Sequence, residues 1–454
     1  MIYRKYKAES LIITSFISAI LIGMALLKLP WVVRPGIVLS WIDALFMSTS
    51  AVCVTGLSVV DISKDFTLFG QSIMLLLIQL GGLGIMTFSI LLAMLFGIKT
   101  SFTSRFTVMN LSEGIDISTL RKALCFVFGL TFIIELLGAM FLFCVDSTKY
   151  LCLHLKLFSA LFHSISAFCN AGFSLYTDSL ISLQNNSFFL SIMMILIFLG
   201  GLGFIVIHEI VMKLRLLINK RRARLSLNAR ICLSGSFLLI IIGFVLIFCL
   251  ESSRSGVLHS LSLKDQVVNS MFLSITSRTA GFNSVSISTL SNATLFFMMF
   301  LMFVGGCAGS TAGGIKVNTF FVLLSTIISK LRGYKMVSIY KKTIDEVIVG
   351  KSVAIFVIAC ILIVLVTGIL QIAGFSSIMQ RNKFLDIFFE VTSAFGTVGL
   401  STGITECFSV LGKLLLIILM FLGRIGPITL GLLIINKMRA RTIFSYPKED
   451  VIIG

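Results

Sequence analysis

Four short segments share one pattern around a glycine: Val54-Thr55-Gly56-Leu57-Ser58, Asn170-Ala171-Gly172-Phe173-Ser174, Thr279-Ala280-Gly281-Phe282-Asn283 and Thr397-Val398-Gly399-Leu400-Ser401. Their chemistry is that of the backbone. Carbonyl oxygens of a narrow, extended strand can replace the hydration shell of a cation. Glycine permits the angles that aim carbonyls at an axis, and it leaves no side chain in the path. Small neighbours such as Thr55, Ala171, Ala280 and Val398 fit the same need. Four such strands on one axis make an ion selectivity filter. Its candidate ligands, for a cation held by backbone carbonyls alone, are Val54 to Gly56, Asn170 to Gly172, Thr279 to Gly281 and Thr397 to Gly399.

The repeat extends beyond the glycine. Phe46, Phe162 and Phe389 stand ten residues before it, with Ser50, Ser166 and Ser393 four residues later; the third copy is one residue shorter, with Phe272 in the matching place. Glycine pairs follow 24 to 28 residues after each filter glycine: Gly81-Gly82, Gly200-Gly201, Gly305-Gly306 and, in altered form, Gly423-Arg424. The first two pairs equally suit close helix packing. The unit is about 110 residues long, which is too long for a solenoid repeat.

These segments need elements to hold them, and the composition says in which solvent. Mean hydropathy is +1.07. Only 12% of residues are charged, about half the soluble average. Apolar runs of about 20 residues, enough to span a bilayer, come in pairs: 8–29 and 67–98, 123–145 and 186–213, 231–250 and 292–329, 352–373 and 411–436. Each pair encloses one filter segment with an amphipathic stretch ahead of it. The predicted fold is an all-α polytopic membrane protein of four tandem helix–pore loop–helix repeats. Eight transmembrane helices and four re-entrant pore helices surround one pseudo-fourfold pore. The repeats are placed at 1–98, 99–213, 214–330 and 331–436, with a tail at 437–454. The basic N-terminus before Leu11 resembles a signal peptide but lacks a small-residue cleavage site, so that run is read as a retained span.

Basic residues crowd the segments between repeats: Lys99, Arg105, Arg121 and Lys122; Lys213, Arg215, Lys220, Arg221, Arg222, Arg224 and Arg230; Lys330, Arg332, Lys335, Lys341, Lys342 and Lys351. The positive-inside rule makes these loops and both termini cytoplasmic, so that all four filter segments enter from the outer face. The net charge of +18 is then a topology signal, and nucleic acid is not an expected partner. For Lys213 to Arg230, contact with anionic lipid or an acidic partner surface is the other reading. Ten cysteines and four histidines show no metal-ligand spacing, so no transition-metal site and no catalytic residue are expected. The stretch ending Gly-Ser-Thr-Ala-Gly-Gly-Ile-Lys lacks the ending of a phosphate loop, which excludes nucleotide binding there.

Gating residues are sought below the filter. The second apolar run of the third repeat is interrupted by Gly305, Gly306, Gly309, Ser310, Thr311, Gly313 and Gly314, with Lys316 at the cytoplasmic end. So glycine-rich a stretch disfavours helix. Irregular backbone at this depth is tolerated inside protein or beside water. A loop lining the cavity would serve as a gate; a packing kink is the alternative. Arg424 stands where other repeats carry glycine, near mid-membrane. A guanidinium there must face water or ordered acceptors. It would act as a positive barrier and as a donor to carbonyls crossing the cavity, or would pair with Glu390. Asp43 and Asp386, thirteen residues before their glycines, suit capping of pore helices or attraction of ions. Glu135 and Glu390 are intramembrane acids, functional or structurally paired.

Together these residues resemble the Trk/Ktr/HKT superfamily of potassium transporters, most closely the membrane subunit of bacterial Ktr systems. The resemblance covers nearly the whole chain, to Asn436. It rests on the four filter glycines, the stretch Ser277-Arg278-Thr279-Ala280-Gly281-Phe282-Asn283, the loop Gly305 to Lys316, and Arg424. The chain begins directly at repeat one, which favours Ktr over a Trk-type subunit. The resemblance implies potassium uptake across the bacterial plasma membrane, often with Na⁺ dependence, by a homodimer with one pore per subunit. It also implies a cytoplasmic ring of RCK subunits binding ATP, ADP or NAD, and no cofactor in this chain. A serine at the first filter position accompanies sodium preference in HKT relatives; Gly56 resembles the potassium form. An autonomous HKT-type transporter is the alternative. A secondary transporter would lack a re-entrant segment in each repeat.

Overall fold

A computed structural model describes residues 2–84, 117–146, 152–219, 224–253, 256–334, 336–373 and 383–426. The first quarter holds α1 (Ile2–Leu27), the shorter α2 (Trp41–Val52), a single turn α3 (Ile62–Asp65) and α4 (Leu68–Gly82). The second holds α5 (Ile117–Val145), α6 (Leu153–Phe168), α7 (Ser187–Leu202) and α8 (Phe204–Ile218). The third holds α9 (Leu227–Glu251), α10 (Leu263–Thr276), α11 (Asn292–Phe303) and α12 (Val317–Leu331). A hairpin of β1 (Ser338–Ile339) and β2 (Lys342–Thr343) leads to α13 (Glu346–Ala373), α14 (Lys383–Gly396) and α15 (Val410–Ile425). The expectation of a wholly helical chain therefore misses one two-stranded hairpin. Exposed lysines and the turn at Tyr340 and Lys341, both with positive φ, gave it no hydrophobic pattern.

In α5, α9 and α13 the helix is long and apolar enough to cross a membrane. Their outward faces carry large apolar side chains such as Phe132, Leu136, Phe237, Ile241, Ile361 and Val364, which suits acyl chains. Polar residues mark where helices start: Ser40, Thr67, Ser226, Ser262, Ser291 and Ser409 each accept a backbone N–H of the first turn. This satisfies donors that have no partner within the helix.

The short inner helices α2, α6 and α14 pack against both neighbouring helices of their own quarter, and α10 against α9. The second long helix of each quarter also packs on the inner helix of the next: α4 on α6, α7 on α10, α11 on α14, and α15 back on α2. The ring thereby closes. Phe46, Phe162, Phe272 and Phe389 are wholly buried. Inner and first helices come into close contact at Gly23, Gly138 and Gly243, where an added Cβ would strike Ser48, Ser164 and Ser274. Those serines donate to carbonyls of Ile20 at 2.7 Å, Glu135 at 2.6 Å and Ile240 at 2.8 Å.

Three expected helices differ. The run read as 186–213 breaks at Gly203, whose φ of +84° is outside any right-handed helix, and α8 leaves α7 at 99°. The run read as 67–98 is helical to Gly82 before Gly84 takes φ +85°. Gly426 (φ +91°) ends α15 in the same way. Hydropathy continues across Gly203, so hydropathy alone merged α7 with α8. Residues beyond 84 and 426 in those runs, the tail 437–454, and Lys99, Arg105, Lys220, Arg221, Arg222 and Lys335 lie outside the described residues.

Candidate functional site

Each inner helix ends in a strand of the same shape. Val54, Asn170, Thr279 and Thr397 have φ between +48° and +76°, and Gly56, Gly172, Gly281 and Gly399 have φ between +72° and +93°; the residues between them do not share this region. Alternation of left-handed and ordinary backbone turns successive carbonyls toward one side. Val54, Thr279 and Thr397 are β-branched, for which positive φ is a true outlier, and such strain persists only where surroundings impose it.

The surroundings are hydrogen bonds from the inner helix. The N–H groups of Thr55, Ala171 and Val398 donate to the carbonyls of Ser50 (2.8 Å), Ser166 (2.7 Å) and Ser393 (2.8 Å). Ser50 Oγ accepts Gly56 N–H and Ser393 Oγ accepts Gly399 N–H, each at 3.1 Å. Ser166 Oγ donates to the Phe173 carbonyl at 2.8 Å. In the shorter third copy, Thr276 takes this part, accepting Ala280 N–H at 2.9 Å and donating to the Phe282 carbonyl at 2.6 Å.

The four strands are neighbours in cyclic order. A Cβ on Gly56 would lie 3.1 Å from Gly172 Cα, one on Gly172 2.9 Å from Gly281 Cα, one on Gly281 3.3 Å from Gly399 Cα, and one on Gly399 2.9 Å from Gly56 Cα. The twelve residues singled out by sequence thus come together. Above them opens a cavity of about 380 Å³, lined by the four glycines, by Ser58, Ser174, Asn283 and Ser401, and by Asp61, Asp178 and Glu406.

On the opposite side lies the chain between Phe303 and Val317. Its ends are pinned by Gly305 N–H to Ile315 O (2.9 Å) and Val317 N–H to Gly306 O (3.1 Å). Cys307 N–H donates to Gly201 O at 2.9 Å, Thr311 N–H to Gly200 O at 3.4 Å, and Phe204 N–H to Gly309 O at 3.2 Å. A Cβ on Gly313 would overlap Thr397 Oγ1, and one on Gly305 would lie 3.2 Å from Thr279 Cγ2. Gly314 (φ +63°) approaches Gly396. Ser310 Oγ donates to Cys307 O at 2.7 Å, and Lys316 Nζ to Ala312 O. The loop therefore runs directly against the third and fourth glycine strands.

Arg424 reaches it from α15. One guanidinium nitrogen donates to the Thr311 carbonyl of the loop, the other to Gly81 O on α4 at 2.6 Å. Its pairing with Glu390 is not found. Glu390 accepts Thr402 N–H (3.0 Å), Thr405 Oγ1–H (3.0 Å) and the Ser401 hydroxyl, so it braces the chain just beyond the fourth glycine strand. Glu135 accepts Gln79 Nε2 at 3.0 Å, with Cys169 Sγ 3.8 Å away. Asp43 stands in the first turn of α2 and takes Ser40's hydroxyl at 2.6 Å. It also pairs with Lys413 at 2.6 Å. Asp386 occupies the first turn of α14. Gly81, Gly200 and Gly423 pack on the Val52, Phe168 and Phe395 carbonyls, so these glycines do serve close packing.

Sequence reasoning left Arg278 without a role. Its guanidinium, 7% exposed, donates to Ser236 O and Oγ at 3.2 Å each and to Gly305 O at 3.1 Å, tying the third strand to α9 and to the root of the loop. A basic residue immediately before the strand stands out only against Cys53, Cys169 and Gly396 at the matching places of the other copies.

A family model described as TrkH, cation transport protein, matches residues 9–446. The chain is 38% identical over 451 residues to the Ktr system potassium uptake protein B of Bacillus subtilis, covering 99% of this chain and 97% of that protein. It is 35% identical over 453 residues to the potassium/sodium uptake protein NtpJ of Enterococcus hirae, covering 99% and 98%. The same identity holds over 444 residues to the Ktr system potassium uptake protein B of Vibrio alginolyticus, covering 98% and 94%. Among solved structures, that of the potassium transporter TrkH from Vibrio parahaemolyticus superposes with a TM-score of 0.66 at 20% identity, over 87% of this chain and 78% of that one.

Proposed function

The chain belongs to the TrkH family of cation transport proteins, a family of membrane transporters and not of enzymes, and we propose that it carries potassium into the cell through the ring of four glycine strands. The observation that supports this most is the cyclic contact of Gly56, Gly172, Gly281 and Gly399 in one repeated backbone conformation. Backbone carbonyls of the twelve strand residues take the place of water around K⁺. Asp61, Asp178 and Glu406 at the outer cavity favour cations over anions. The loop from Gly305 to Lys316, held by Arg424, is the gate, and its guanidinium keeps cation occupancy low while the gate is shut.

Several finer points belong to the same reading. Four helix–pore loop–helix repeats enter from the outside, and both termini and the basic loops face the cytoplasm of the bacterial cell. The chain works as a homodimer in which each subunit has its own pore. A cytoplasmic nucleotide-binding RCK ring acts on the loop; relatives named as Ktr system proteins B and D support a system of several components. Na⁺ assists uptake without a cofactor in this chain.

The test is cation flux in proteoliposomes, comparing K⁺, Rb⁺ and Na⁺, with Gly56→Ser alongside. Potassium-selective flux weakened by the serine is expected; equal K⁺ and Na⁺ flux unaffected by it overturns the assignment. The name of the Enterococcus relative favours a second reading, an autonomous transporter of both ions. That reading predicts full Na⁺ flux without any partner.

A further inference from the structure

We propose that α8 lies in the cytoplasmic membrane interface and binds anionic phospholipid headgroups through Lys213 and Arg215. This rests on the orientation just given, with the basic loops inside. Helix α7 has 16 residues and rises about 24 Å, somewhat less than the hydrocarbon core of about 30 Å. At Gly203 the chain then turns, and α8 runs 99° away from α7, across the membrane axis.

Two contacts set its depth. The Glu209 carboxylate accepts Ser226 N–H at 3.1 Å and its hydroxyl at 2.8 Å. Ser226 caps α9, whose 25 residues rise about 37 Å and so cover a whole bilayer core. Glu209 therefore sits level with one end of a full span. The neighbouring His208 ring meets Phe126 of α5 edge-on at 4.8 Å.

Beyond Ile210 this support ends. Val211, Met212, Leu214, Leu217 and Ile218 are exposed, Ile218 to 82%. Val211, Leu214 and Ile218 share one face by their spacing, with Arg215 beside them and Lys213 half-buried. In sequence Lys220, Arg221, Arg222 and Arg224 follow. A helix in the interface plane buries its apolar face in the acyl boundary and sets lysine and arginine among headgroups. Those side chains stretch their stems to do so. The inner leaflet is anionic and attracts such residues. An acidic protein surface would answer the charges but leave Leu214, Leu217 and Ile218 against polar groups; lipid answers both.

The full-length protein is purified in nanodiscs containing phosphatidylglycerol and phosphatidylcholine, and retained lipid is counted by native mass spectrometry. Wild type is expected to retain phosphatidylglycerol in preference. Lys213→Gln with Arg215→Gln should weaken that preference about 25-fold, from about fivefold per basic residue. Lys213→Arg with Arg215→Lys should keep it, which separates charge from misfolding. In a parallel arm, Leu217→Trp in liposomes of brominated phosphatidylglycerol should show emission, beyond that of the native Trp31 and Trp41, that the bromine quenches. An unchanged preference in the neutral pair overturns the proposal. So does an unquenched Leu217→Trp, which would place another protein surface on α8. Neither readout needs transport, so failure of the potassium reading, seen in flux, is distinct from failure here.

Discussion

Removing the Arg424 guanidinium should open the pore. Its two donors join the loop carbonyl of Thr311 to Gly81 on α4, so the loop is held against the far side of the ring by one side chain. Hydrogen bonds to a charged group contribute about 1.5–3 kcal/mol each. At the lower figure, two bonds amount to about 3 kcal/mol in favour of the shut arrangement, or a factor of about 150 in its population. A pore open about 1% of the time would then be open for over half of it. Arg424→Gln should therefore raise Rb⁺ uptake into proteoliposomes at least tenfold. Arg424→Lys keeps the positive barrier but cannot span both acceptors, so its uptake should fall between the two. Variants must elute and melt as folded protein. A folded Arg424→Gln protein with uptake at or below wild type would refute the view that this fork holds the loop.

Other outcomes follow from the same geometry. Gly399→Ala puts a Cβ against the Thr55 carbonyl at φ +92°, costing about 1–2 kcal/mol in backbone alone, and should abolish K⁺-selective flux while the protein remains folded by circular dichroism. Gly313→Ala would collide with Thr397 Oγ1; displacement of the loop should appear as leak flux, and unchanged flux would show that the loop does not press on the fourth strand. Glu390→Gln weakens three bonds that brace residues 401–405 and should lower the melting temperature by several degrees, by about 2 kcal/mol. For Asp43 and Lys413, 20% and 14% exposed, a double-mutant cycle should give a coupling of about 1 kcal/mol, the upper range of exposed pairs; zero coupling would make the pair incidental.

Much of the ring was legible because each feature left a residue-type mark. The four glycines, the phenylalanines at Phe46, Phe162, Phe272 and Phe389, and the serines at Ser50, Ser166 and Ser393 are local signals of one repeated unit. The glycine-rich stretch after Phe303 was legible because helix propensity fails there. What escaped depends on neighbours distant in sequence. Hydropathy is the same on both sides of Gly203, so the turn into α8 left no trace in it. The partners of Glu390 proved to be the hydroxyls of Ser401 and Thr405 with the Thr402 N–H, because buried carboxylates accept from whatever donors the fold brings near. Positive φ at Val54, Thr279 and Thr397 runs against residue preference, so no propensity argument could have found it. The serines that meet the first helices, Ser48, Ser164 and Ser274, were readable two places after each phenylalanine, but the fourth copy has Val391 and hid the pattern.

The third glycine copy alone is one residue short, and among the described residues the third quarter alone carries the loop. Because all four quarters are on one polypeptide, a single lever would close the axis if the loop is the gate proposed above. A tetramer of identical chains would bring four such loops to the same point, where one already fills the space beside Thr397 and Gly201. On that proposal, closure would be one molecular event per pore. Open probability against any stimulus should rise with a Hill coefficient of about one for the lever itself, and steeper responses must originate in whatever acts on it.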